Sequence, residues 1–113
     1  GCVTSLSALV KLKQLDLYYT EVEGNLEAVS GFRNLVYLNL GGTQIEGDLE
    51  ALAQLWLLNH LDLYGTRIGG RLRSISALQN LCELNLSSTQ VVSTTKERAV
   101  YEATHTCLCK LSL

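Results

Sequence analysis

The sequence predicts an α/β solenoid, a coil with a parallel β-sheet on its concave side and short 3₁₀ or helical segments on its convex side. Three observations predict it. First, a phrase Leu-x-x-Leu-x-Leu-x-x-Thr-x-Val/Ile returns at one constant spacing, beginning at Leu12, Leu35, Leu58 and Leu81. Self-similarity at a fixed period of this size marks stacked repeats. Second, apolar and polar residues alternate within each LDL or LNL, and a period of two puts the leucines on one face of a strand. Third, each Thr-x-Val/Ile is followed by Gly and apolar residues two and three apart: Gly24-Leu26-Val29-Phe32, Gly47-Leu49-Leu52-Leu55 and Gly70-Leu72-Ile75-Leu78. That return half is too short for a long helix and suits a brief extended piece with a 3₁₀ turn. No single strand can bury its leucines alone. Stacked copies bury a continuous column and run the same way, so the sheet is parallel, with strands ~4.8 Å apart.

In chain order, Gly1 stands one full period before Gly24, with Val3, Leu6 and Leu9 at apolar positions. This predicts a partial coil over 1–11. Repeats follow over 12–34, 35–57, 58–80 and 81–107, then a partial repeat over 108–113, all one domain spanning 1–113. Nothing resembling a polar cap is visible at either end. Solenoids need caps for solubility, so the expectation is a fragment of a longer array, with further repeats or neighbouring subunits covering both open ends. The fourth repeat departs from the pattern. Ser93 replaces the Gly, Thr94 and Glu97 read as a capping box, and Lys96–His105 predicts a convex helix with Ala99, Val100 and Ala103 on one side. Leu108-Cys-Lys-Leu111-Ser-Leu113 then superposes on Leu81-Cys-Glu-Leu84-Asn-Leu86, four positions later than the period requires.

The phrase and its x-Gly-x-Leu continuation resemble the leucine-rich repeats, most of all their plant-specific subclass. The resemblance covers nearly the whole chain. It implies a right-handed coil and a non-catalytic protein–protein recognition module that binds on its concave face. Departures from the subclass are a period shorter by one position, no proline, and Thr20, Thr43, Thr66 and Thr89 where most of the family has Asn. In the family the Asn column hydrogen-bonds the turn backbone of neighbouring coils. The resemblance therefore implies a structural Thr ladder, whose hydroxyls can do part of that work.

A net charge of −2 argues against nucleic acid as a partner, since a phosphate-backbone binder needs a concentrated basic face. The longest strongly apolar run, Leu55-Trp56-Leu57-Leu58, is far short of the ~20 residues a membrane helix requires. No cofactor motif is present. Cysteines at 2, 82, 107 and 109 match no small disulfide scaffold. Cys82 and Cys109 should be neighbours, as free thiols or as a bridge. His105-x-Cys107-x-Cys109 has neither the spacing nor the ligand count of a zinc site, and no metal is expected.

Stacking turns positions one period apart into spatial columns. The concave face then carries Gln14, Tyr37, His60 and Glu83, followed by Asp16, Asn39, Asp62 and Asn85, with Tyr18 and Tyr64 beyond. These are the candidate binding residues for a protein partner, because tyrosine is a large amphipathic contact with few torsions. The alternative is a solvated sheet face. The Asp/Asn column is expected to be a hydrogen-bonded ladder along the sheet rather than a Ca²⁺ site, which needs ~6–8 enclosing oxygens. His60, Asp62 and Ser87 could suggest a hydrolase, but lack an enclosed pocket and an oxyanion site. Trp56 and Leu57 stand where the other coils have mostly polar residues. They are either an exposed flank hot spot or folded onto their own coil, and in the first case they suit a scaffold subunit buried in an assembly. On the outer edge, Asp48–Arg71 and Glu50–Arg73 are expected to pair across coils.

Overall fold

Pleating sends the alternating leucines of LDL and LNL to one side of each strand and the polar residues to the other. In the computed structural model, which describes residues 12–105 and 107–113, these segments are β1 (Gln14–Asp16), β3 (Tyr37–Asn39), β5 (His60–Asp62), β7 (Glu83–Asn85) and β9 (Lys110–Ser112). They form a parallel five-stranded sheet in the order β1-β3-β5-β7-β9. Gln14 pairs with Tyr37, Tyr37 with His60 and His60 with Glu83, a register of one repeat. Glu83 pairs with Lys110, so the longer fourth coil is absorbed outside the sheet and the strand register is kept. The apolar positions of the N-terminal half coil (Val3, Leu6 and Leu9) and Cys2 lie outside the described residues.

The return half of each coil adds a second parallel sheet, more regular than the brief extended piece expected. It comprises β2 (Glu23–Asn25), β4 (Gln44–Asp48), β6 (Arg67–Arg71) and β8 (Gln90–Val92), in the order β2-β4-β6-β8. Its register differs from that of the first sheet. Glu23 pairs with Gln44 and Gly69 with Gln90, each two positions short of a full repeat. This slip overturns the expected outer-edge pairs, because Asp48 faces Gly69 and not Arg71. Asp48 Oδ1 instead accepts the backbone N–H of Glu50 at 2.9 Å, and Arg71 lies 3.7 Å from Glu97. Glu50 and Arg73 form no ion pair among the described residues.

Each of the first three second-sheet strands feeds a 3₁₀ turn, at Leu26–Val29, Leu49–Leu52 and Leu72–Ile75. Asn25 and Asp48 cap the first two through their side-chain oxygens, whereas Arg71, an all-donor side chain, leaves the third uncapped. Gly47 and Gly70 adopt φ of 126° and 107° beside these caps, a conformation that strains L side chains. Between the two sheets runs one apolar column. Leu38 and Leu61 from the first sheet, Ile45 and Ile68 from the second, and Leu26, Val29, Leu49, Leu52, Leu72 and Ile75 from the turns are all fully buried.

The α-helix α1 (Thr95–Thr104) packs on the Leu72–Ile75 turn. Thr94 Oγ1 accepts the Glu97 N–H at 3.1 Å. The reciprocal half of the expected capping box does not form, because the Glu97 carboxylate turns to Arg71. The buried face also differs from expectation. Ala99, Val100 and Ala103 are exposed, while Tyr101 and the capping His105 are buried. The Tyr101 hydroxyl donates to Ile75 O at 3.1 Å, and its ring stacks on His105 with centroids 3.6 Å apart. One aromatic pair with a polar handle thus docks the helix, where small aliphatic residues would have left a shallow contact.

Candidate functional site

Each coil leaves the first sheet through a tight turn, and that turn consumes two of the polar columns. Asp16, Asn39, Asp62 and Asn85 each accept the backbone N–H two positions ahead, from Tyr18, Gly41, Tyr64 and Ser87, at 2.9–3.1 Å. This corrects the expected ladder along the sheet. A short Asx side chain reaches its own turn more readily than a neighbouring strand. The threonines act in the same local way. The hydroxyls of Thr20, Thr43, Thr66 and Thr89 donate to the carbonyls of Leu17, Leu40, Leu63 and Leu86 in their own coils, at 2.5–2.7 Å. They close the turn in which they stand and do not bridge to the next coil.

The middle of the sheet face is an aromatic-ionic row. The His60 ring stacks on Tyr37 at 4.4 Å, with 11° between planes, and its Nδ1 lies 3.0 Å from Glu83 Oε2. His60 Nε2 has no hydrogen-bond partner among the described residues. Gln14 is exposed at the β1 end of this row. Among the described residues the face holds no hydrolytic constellation, because the Ser87 hydroxyl donates to Asn85 Oδ1 at 2.6 Å and is not engaged by His60.

At the far edge the turn residues make a depression. Tyr18 and Tyr19 lie over Gly41 and Gly42 of the next coil, where an added Cβ would meet their rings at 3.0 and 2.7 Å. The glycines make room for the two rings, and Tyr18, Tyr19, Asp62, Tyr64 and Asn85 border an open depression of about 320 Å³. Tyr18 and Tyr19 stand edge-on, centroids 4.4 Å apart at 86°. The Tyr18 phenol is held above its ordinary value by desolvation first, then by Tyr19, Asp62 and Tyr64.

Nearly the whole backbone superposes on solved structures. One is the leucine-rich-repeat ectodomain of the receptor kinase SOBIR1 from Arabidopsis thaliana, with a TM-score of 0.77 and 19% identity over 96% of this chain and 60% of that one. A second is internalin C2 of Listeria monocytogenes, with a TM-score of 0.77 and 26% identity over 97% of this chain and 46% of that one. A third is the plant peptide hormone receptor RGFR1 in complex with RGF2, with a TM-score of 0.79 and 23% identity over 97% of this chain and 18% of that one. The fold is the leucine-rich repeat. The chain spans less than two thirds of the length of each of these structures. No protein-family profile and no curated protein sequence matches it.

On the flanks of this leucine-rich-repeat solenoid, Trp56 and Leu57 are exposed, at 56% and 49%. Of the two alternatives for the pair, exposure is what the structure has. Trp56 is held through its backbone, whose carbonyl accepts from Asn80 Nδ2 at 3.0 Å. Cys82, Cys107 and Cys109 are free thiols. Cys82 and Cys109 are neighbours, with Cys109 N donating to Cys82 O at 2.7 Å. His105 is drawn away from Cys107 and Cys109, with both ring nitrogens 2.9 Å from carbonyls, those of Tyr101 and Ser76. Among the described residues no cluster of His, Cys, Asp and Glu is arranged to hold a metal, and no helix is long and apolar enough to cross a membrane.

Sequence reasoning placed Tyr19 beside the sheet face with the other tyrosines but did not group it with Tyr18, Asp62, Tyr64 and Asn85 in one depression. The signal was present in the turn positions of successive coils, which read Tyr-Tyr, Gly-Gly, Tyr-Gly and Ser-Ser. Two residues with no side chain let the two bulky residues of the preceding coil pack against them.

Proposed function

We propose that this chain is a non-catalytic recognition module that binds a protein partner on the outward face of its first sheet. The observation that carries this reading is the composition of that face. Tyr18, Tyr37 and Tyr64 share the outward side of the sheet and its turns with His60, Glu83 and Asp62, in the register of the paired strands. Rigid tyrosines bury large area at small entropic cost, which is what an interface anchor requires. The chemistry of the face also supports a non-catalytic role, because the Ser87 hydroxyl is bonded to Asn85. The structural neighbours lend support at the level of class, since RGFR1 was solved with RGF2 bound.

A second reading has its own observation. The exposed Trp56-Leu57 pair suits a scaffold subunit whose flank is covered by a neighbour. Two variants of the intact protein separate the readings. Tyr37→Ala with Tyr64→Ala should abolish capture of the native partner from cell extract while Trp56→Ser with Leu57→Ser leaves it intact. The reverse pattern establishes the scaffold reading and removes the first.

A further inference from the structure

We infer that the notch formed by Tyr18, Tyr19, Tyr64 and Asp62 is a receptor for an arginine side chain of the protein partner. The inference deepens the recognition reading and rests on it. Four observations converge on the notch. Its walls are aromatic and set nearly at right angles, Tyr18 to Tyr19 at 86°, so a planar cation can lie on one ring and meet the other. Tyrosine faces attract cations electrostatically, and guanidinium groups stack on them. Its lining includes a carboxylate with spare capacity. Asp62 uses Oδ1 on the Tyr64 N–H and has no cationic partner within 4.0 Å among the described residues. Its volume is about 320 Å³, and the glycines at 41 and 42 let the two rings that wall it come this close to the next coil.

The fourth observation is strain. Tyr19 has φ of 54°, whereas the equivalent turn positions Gly42 and Gly65 reach 72° and 70° with glycine. A β-substituted residue in that region is disfavoured. Ser88, at the same turn position, bears a similar φ of 58° with a small side chain; Tyr19 is the one bulky residue among the four, and what it adds there is one wall of the notch. A forked guanidinium also matches the free edge of a carboxylate better than a point-charge ammonium does, which selects arginine over lysine.

Two substitutions test this without endangering the fold, because adjacent coils already carry them. Tyr19→Gly installs the residue found at 42 and 65. Asp62→Asn installs the residue found at 39 and 85, and both of those cap their turns. The probe is N-acetyl-arginine methylamide, titrated into the intact protein while the tyrosine ring resonances are followed by NMR, with the neutral isostere N-acetyl-citrulline methylamide as the control. The expected result is saturable shifts confined to Tyr18, Tyr19 and Tyr64, citrulline weaker by about fivefold or more, and a comparable loss in each variant. Equal binding of citrulline, or unchanged arginine binding in both variants, overturns the inference. The recognition reading is judged separately. Partner capture that survives Tyr19→Gly and Asp62→Asn but fails in Tyr37→Ala/Tyr64→Ala removes the arginine notch and keeps the face; capture that survives all of them removes both.

Discussion

Replacing Gly70 with alanine isolates what holds one coil against the next. The backbone there has φ of 107°, and a Cβ would sit 2.6 Å from Asp48 Oδ1 and 3.1 Å from Leu49 N. Two costs follow. Holding a non-glycine residue at that φ costs ~1–3 kcal/mol. The Cβ must also displace the Asp48 carboxylate, which caps the Leu49–Leu52 turn by accepting from Glu50 N at 2.9 Å, and losing such a cap costs ~0.5–2 kcal/mol. The total is about 1.5–5 kcal/mol, or a fall of ~0.8–2.5 M in the urea midpoint at an m-value of ~2 kcal/mol/M. The neighbouring Gly69 is the control. It has no positive φ, and its Cβ would touch only Gln90 O at 3.6 Å and Gln90 Cβ at 3.8 Å, so Gly69→Ala should stay within ~0.5 kcal/mol of the parent. Equilibrium urea unfolding of the two variants decides. If Gly70→Ala unfolds at the Gly69→Ala midpoint, neither the φ nor the approach of Asp48 matters. A double variant with Asp48→Ala sharpens the test, because removing the carboxylate also removes the clash. The two costs should then sum to less than the separate losses, and strict additivity would refute the steric half of the reasoning.

Three other outcomes are expected. Thr66→Val should cost ~0.5–1.5 kcal/mol, since Leu63 O loses the 2.7 Å hydroxyl bond but keeps the Thr66 N–H at 3.2 Å; Thr20→Val, at an exposed turn, should cost less, and equal urea midpoints for the two would show that burial is irrelevant to the bond. Arg71→Asn should supply the missing cap of the Leu72–Ile75 turn, worth ~0.5–2 kcal/mol, against an exposed ion pair with Glu97 worth ~0–1 kcal/mol; a lower thermal midpoint than the parent would mean that the ion pair dominates. Burial raises the Tyr101 phenol well above its ordinary value of 10.0. The folded state then holds a proton the unfolded state gives up, so this stability is complete below pH 10.0 and is lost as pH rises further. Tyr101→Phe should lower stability at neutral pH by ~0.5–1.5 kcal/mol of lost hydrogen bond to Ile75 O and flatten the alkaline decline; an unchanged decline would place its source elsewhere.

Neighbouring coils explain why some of these features were legible and others not. The buried identities of Leu26, Val29, Phe32 and their equivalents are visible in the sequence because spacing within one coil sets which face a side chain takes. The columns of the first sheet are visible too, because its register equals the repeat. Asp48–Arg71 failed because the second sheet pairs Asp48 with Gly69, two positions earlier, and no pattern within one coil reports how far its return strand slides along the next. The helix face failed for a related reason. Ala99, Val100 and Ala103 share a side of the wheel, but the turn beneath offers Ile75 O and Ser76 O as acceptors, and Tyr101 and His105 carry the donors that reach them.

By itself, then, the sequence determined the repeating coil, its apolar column and the parallel sheet, all consequences of local periodicity; the Asp/Asn column was legible as a column, and its turn-closing bonds were not read from it. Only the tertiary structure decided which groups face one another across coils: that Asp48 pairs with Gly69 and caps beside Gly70, and that Tyr18 and Tyr19 lie over Gly41 and Gly42. Those outcomes depend on the slip and separation of adjacent coils, which are set by the packing of whole coils and are written in no single repeat.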